Sequence, residues 1–203
     1  MKKLFAVMMS VALIFAVTAC GSAGDRTEKS SSPGQNAPER TAAEAKGLVV
    51  YFSWSGNTEN VANSIKDQTG SDIFEIVPQT PYSDDYDTVV DLAREEQRTD
   101  ARPEISGSID NIAQYDVIYV GYPNWWGDMP MILYTFFDTY DLSGKTVVPF
   151  VTSGGSGFSD TISTIRRLEP DASVLEGLSL SSSRASDPGS DVADWLTGLG
   201  LVK

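Results

Sequence analysis

Three short stretches of the chain are almost wholly apolar, and they constrain its fold more than anything else in it. They are Leu48-Val49-Val50-Tyr51-Phe52, Val117-Ile118-Tyr119-Val120-Gly121 and Thr146-Val147-Val148-Pro149-Phe150-Val151. Runs of this length, rich in β-branched and aromatic residues, read as strands buried on both faces. That is the pattern of a parallel sheet covered by helices, because a strand with one wet face alternates instead. Asp72-Ile73-Phe74-Glu75-Ile76-Val77 does alternate, as a strand nearer an edge would. Leu178-Ser179-Leu180 supplies a fifth strand. Between the strands, helical spacing runs over 58–69, with Val61, Ala62 and Ile65 on one face, and over 84–98, with Tyr86, Val89, Val90 and Ala93 inward. It returns over 131–140, 160–168 and 191–199. Five strands alternating with five helices predict an α/β fold: a doubly wound, five-stranded parallel sheet in three layers. Residues 47–203 would form this single domain.

The first 46 residues read differently. Lys2 and Lys3 precede an apolar run from Leu4 to about Ala16, too short to span a bilayer comfortably and typical of an export signal over 1–19. The chain's single cysteine, Cys20, ends this segment in Val17-Thr18-Ala19-Cys20-Gly21. That pentapeptide resembles the lipobox of bacterial lipoproteins, in which cleavage falls before the cysteine and its thiol carries the lipid. The resemblance implies a palmitate-bearing anchor on Cys20 and a position on the extracytoplasmic side of the cell membrane. Residues 20–46 contain Ser30-Ser31-Ser32-Pro33-Gly34 and no large apolar side chain, so they read as a disordered tether. The signal has no twin arginine, so any cofactor would be loaded after export.

Charge and composition remove several classes of function. The net charge is −13, and loss of residues 1–19 would remove two lysines and no acid. Such a chain repels a phosphate backbone, so nucleic acid is not an expected partner. Membrane attachment would come from the lipid rather than from the protein surface. With no histidine and one cysteine, there is no Ser-His-Asp or Cys-His catalysis, no imidazole or thiolate metal site and no internal disulfide. No residue stands out as a general acid or base, so none is assigned as catalytic, and no metal ligands are assigned.

In a doubly wound sheet, ligands sit beyond the carboxyl ends of the strands. Three loops there carry unusual residues. After the first strand come Ser53, Trp54, Ser55, Gly56, Asn57 and Thr58, then a helix. Hydroxyl and amide donors, a glycine and a helix N-terminus together suit a phosphate. There is no lysine, so this is neither GxxxxGK[ST] nor GxGxxG. After the third strand come Pro123, Asn124, Trp125, Trp126 and Gly127, where two tryptophans in a loop suit a flat aromatic ligand. After the fourth come Thr152, Ser153, Gly154, Gly155, Ser156 and Gly157, whose glycines let the backbone approach a ligand closely. Capped helices, core packing of one tryptophan and a plain glycine linker are the structural alternatives.

Tyr51-Phe52-Ser53-Trp54-Ser55-Gly56-Asn57-Thr58, Gly121-Tyr122-Pro123-Asn124-Trp125-Trp126-Gly127 and Thr152-Ser153-Gly154-Gly155-Ser156-Gly157 together resemble the flavodoxin family. The resemblance covers about 47–203, in a short-chain form without the long insertion in the fifth strand. It implies a strand order of 2-1-3-4-5 and FMN as cofactor. It puts the phosphate on residues 53–58 and the isoalloxazine between 123–127 on one side and 152–157 on the other. It also implies an electron-transfer role with a redox protein or small-molecule donor and acceptor. Flavin supplies such chemistry and the protein tunes it; the acidic domain would disfavour an anionic reduced flavin. An FMN-dependent NAD(P)H or quinone reductase and a flavin-free binding module share the fold and stay open. Arg94, Arg98 and Arg102 fall near the helix after the second strand and read as a solvated helix face rather than a nicotinamide-phosphate site. Asp128 and Asp160 lie near the loops, where they would either reach a flavin nitrogen or cap a helix, capping being the expectation for Asp160.

Overall fold

The computed structural model describes residues 45–202, so the export signal, Cys20 and the tether up to residue 44 lie outside the described residues. The chain runs β1 (Gly47–Tyr51), α1 (Asn57–Thr69), β2 (Asp72–Glu75), the two-residue β3 (Val77–Pro78), α2 (Tyr86–Thr99), the two-residue β4 (Ile105–Ser106), β5 (Val117–Pro123), α3 (Met131–Thr139), β6 (Thr146–Ser153), α4 (Thr161–Leu168), β7 (Ser173–Val174), β8 (Leu178–Ser181) and α5 (Gly189–Gly198). Ahead of β1, Ala45 packs against the domain. Lys46 pairs with Asp72 at 3.0 Å and lies over the Tyr115 ring.

β2, β1, β5 and β6 pair side by side and in parallel, and β7 and β8 share the far edge of β6. By position across the sheet this is the 2-1-3-4-5 order, with the fifth strand broken in two. The break has a cause in the sequence. β7 pairs with Thr146 and Val147, β8 with the run from Phe150 to Ser153, and the gap at 175–177 falls beside Pro149. Proline has no N–H to give the ladder, so edge pairing lapses there. Gly177 fills the gap because a Cβ would stand 2.7 Å from the Pro149 carbonyl oxygen and 2.3 Å from the Phe158 ring. The strand expected over 72–77 ends at Glu75, and Val77 and Pro78 pair antiparallel with β4 in a separate two-stranded sheet; two-residue strands carry no periodic signal.

Each sheet face buries its own cluster. Leu48, Val50, Ile118, Val120, Val147 and Val151 face Ile132, Leu133 and Phe136 of α3 and Ile165 of α4. Val49, Tyr119, Val148 and Phe150 face Val61, Ala62 and Ile65 of α1 and Val192 and Leu196 of α5. Both clusters draw on the same strands, which is why those strands read as continuous apolar runs. Gly121 interrupts β5 for a steric reason: it pairs with Phe150, whose ring lies 2.0 Å from where a Cβ would stand. α2 begins at Tyr86 rather than 84, because Asp85 caps it, its carboxylate accepting from the Thr88 amide at 2.9 Å.

Candidate functional site

The carboxyl ends of β1, β5 and β6 lie side by side, which brings their three loops together. In the first, Gly56 turns the chain into α1 with φ +84°, and nothing lies within 4 Å of its missing Cβ. α1 has no side-chain cap. The loop is tied internally: the Gly56 amide donates to Ser53 Oγ at 3.1 Å, and Asn57 Nδ2 to Ser55 Oγ at 3.2 Å. Both hydroxyls act as acceptors there, so their protons remain available to an anion. Thr58 is buried instead. Its hydroxyl pairs with that of Thr152 at 2.8 Å and so joins the first loop to the end of β6.

The second loop is a tight turn. Trp125 and Asp128 exchange backbone bonds at 2.8 and 3.0 Å, and the residues between them, Trp126 and Gly127, have φ +53° and +82°. Positive φ at both central positions is normal for glycine and uncommon for a residue as bulky as tryptophan. Trp126 is held by two contacts on α2: its Nε1–H donates to the Val90 carbonyl at 3.0 Å, and the Arg94 guanidinium lies 3.9 Å from its ring centre. Trp125 turns inward and packs edge-on against Phe52 and Tyr82 at 5.5 and 5.4 Å. One tryptophan thus serves the core and the other stays 49% exposed. Asn124 is the bridge between loops. Its Nδ2 donates to the Gly157 carbonyl and to Ser159 Oγ, and its Oδ1 accepts from the Gly127 amide. Pro123, Thr152 and Ser153 belong to the ends of β5 and β6 rather than to loops.

A cavity of about 270 Å³ opens beside these loops, lined by Trp54, Asn124, Trp125 and Trp126 together with Tyr86, Val89, Val90 and Ala93 of α2. Sequence reasoning assigned the α2 residues to the core. Val89 and Ala93 are indeed buried, but Tyr86 is 67% exposed at the rim, near Trp54. Apolar spacing on a helix cannot separate a core face from a cleft wall. Trp54 is fixed by its own Nε1–H bond to the Ser83 carbonyl at 2.9 Å.

The third loop does not line this cavity. Its amides at Gly155 and Gly157 both donate to Ser153 Oγ, at 3.2 and 3.0 Å, so these two donors are turned onto the loop itself. Of the other residues considered, Asp128 accepts from the Tyr134 hydroxyl and from the Met129 amide, which fixes the start of α3. Asp160 stands at the N-cap of α4 without making the expected side-chain cap bond. Arg98 pairs with Glu95, and Arg102 with Asp100 and Asp138, so the three arginines form no cluster.

Negative charge gathers beside the first loop. Burial, then the charges of Glu75 and Glu59, push the Tyr51 hydroxyl up to about 12. Burial and the Glu59 charge raise the Glu75 carboxyl as well. On α2, burial raises the Glu96 carboxyl, which accepts from the Tyr82 hydroxyl at 3.0 Å. Among the described residues no cluster of His, Cys, Asp and Glu is suited to a metal ion, and no helix is long and apolar enough to cross a membrane.

Comparison with known proteins agrees with this geometry. The flavodoxin family model matches residues 46–199. A candidate flavoprotein from Bacteroides eggerthii is 33% identical, with 78% of this chain and 99% of that one aligned and a TM-score of 0.67. A second, from Bacteroides uniformis, is 29% identical over 75% and 98%, with a TM-score of 0.66. A Lactobacillus acidophilus flavoprotein in complex with FMN is 27% identical over 72% and 99%, with a TM-score of 0.59. No curated protein matches the chain. The match over most of the described domain, on a sheet of the expected order with three loops gathered at its carboxyl edge, makes this chain a member of the flavodoxin family.

Proposed function

We propose that the chain is an FMN-binding electron-transfer protein, held on the outer face of a bacterial membrane by a lipid on Cys20. The observation that carries the reading is the first loop. An uncapped helix N-terminus, a left-handed glycine open to solvent and two serine hydroxyls with free protons converge at the carboxyl edge of the sheet. These groups fit a phosphate ester, and the adjoining cavity, walled by Trp54, Trp125 and Trp126, fits a flat ring. Ser53, Ser55, Gly56 and Asn57 would hold the phosphate. Asn124, Trp125, Trp126 and Trp54 would line the ring. Thr58 and Thr152 would support the loop from beneath. The third loop, two of whose amides turn onto Ser153, also supports Asn124 through the Gly157 carbonyl. The FMN complex of the Lactobacillus acidophilus relative supports the choice of flavin.

FMN, when bound, would supply the electron-accepting chemistry; Trp54, Trp125 and Trp126 would shield the ring from water and orient it. The paired state of Arg98 and Arg102 favours a carrier over a reductase that recognises a nicotinamide phosphate. The full chain, incubated with FMN and passed through a desalting column, is expected to retain yellow flavin. That flavin is expected to keep its colour when NADH or NADPH is added. A colourless product defeats the flavin reading, and rapid bleaching by either nucleotide favours the reductase. For the anchor, Cys20→Ala is expected to release the protein from the membrane fraction; unchanged retention contradicts it.

A further inference from the structure

Glu59 is the third residue of α1, the position from which a glutamate ordinarily reaches back to the amide of the N-cap residue. Here that amide, on Gly56, donates to Ser53 Oγ instead. Glu59 is therefore left exposed on the first turn, its side chain leaning toward the helix N-terminus as helical side chains do. A glutamate there interacts favourably with the helix dipole. Toward an anion bound at the same terminus, it is a like charge with no cation in the loop to offset it. Glu75, at the end of β2 next to β1, adds a second carboxylate on that side, and its carboxyl feels the Glu59 charge.

We propose that Glu59 is an electrostatic counterweight in the phosphate loop, holding down the preference of the site for a phosphorylated flavin over the uncharged flavin nucleoside analogue, riboflavin. This deepens the reading of the loop as a phosphate site and rests on it. The aromatic walls of the cavity would meet the ring that both flavins share. The discrimination between them is carried by the 53–59 segment, where helix dipole and hydroxyls attract the ester and Glu59 repels it. Because the repulsion acts between exposed charges, it fades with added salt, so FMN affinity rises with ionic strength while riboflavin affinity stays level.

Flavin fluorescence titration of the full chain with FMN and with riboflavin tests this. Glu59→Gln is expected to tighten FMN about three- to ten-fold at low salt, leave riboflavin unchanged and flatten the salt dependence; Glu59→Lys extends the gain. Asp171→Asn, which removes the same charge from an exposed turn at the opposite end of β6, is expected to move neither flavin by more than about two-fold. If Glu59→Gln moves both flavins equally, or leaves FMN unmoved while both still bind, the proposal falls and the flavin reading stands. If neither flavin binds the parent chain, both fall together.

Discussion

Glu169 shows how a single buried carboxyl sets a pH dependence. It is 8% exposed at the end of α4. Burial pushes it up to about 7, against a bond from the Leu142 backbone, with Asp141 adding a like charge. Its folded-state affinity for the proton exceeds the unfolded one, near 4.5. The stability it contributes is therefore complete below about pH 4.5 and is lost as pH rises to about 7. Glu169→Gln is expected to remove this slope. The variant should match the parent at pH 4.5 and exceed it by on the order of 2 kcal/mol at pH 8, read from denaturant unfolding at both values. An unchanged difference between the two pH values would contradict the assignment. Trp126 works by strain at the same scale. Its left-handed backbone costs about 1 kcal/mol or more, offset by the indole bond to Val90 and the Arg94 stack.

At the scale of elements, the pairing of β5 with β6 depends on Gly121. Gly121→Ala would drive a methyl into the Phe150 ring, a fully buried side chain with no room to turn aside. The expected loss is about 2–3 kcal/mol of unfolding free energy, and Phe150→Leu should recover part of it in the double variant. An additive double variant would contradict a direct clash. The strands of the sheet centre were legible because burial on both faces leaves a run with no polar residue to confuse it. All five helices were legible in the sequence within about two residues. The two-residue β3, β4 and β7 were not, since no periodicity fits in two positions. The site was legible in its loops but not in its second wall. Val89, Val90 and Ala93 have the spacing of a core face, and only the turn of α2 over Trp125 makes them a cavity lining. Nor does sequence show Ser153 taking the Gly155 and Gly157 amides at once.

For the whole molecule, net charge governs encounter. With 28 acidic and 15 basic residues, the chain is expected to pass electrons to a cationic acceptor at a rate that falls with added salt, and to an anionic acceptor at a rate that rises. Stopped-flow reoxidation across a range of ionic strength checks this; equal salt response for both acceptors would contradict electrostatic steering. The central claim, a flavin held between the α1 N-terminus and the tryptophan-lined cavity, is tested most directly by titrating FMN into the flavin-free full chain while following tryptophan emission. The expected result is quenching that saturates at about one FMN per chain, with the midpoint moved to higher FMN in Trp126→Ala and Trp54→Ala, since each variant removes an aromatic wall of the ring's cavity. Emission that ignores FMN, or an FMN midpoint in both variants equal to the parent's, would contradict it.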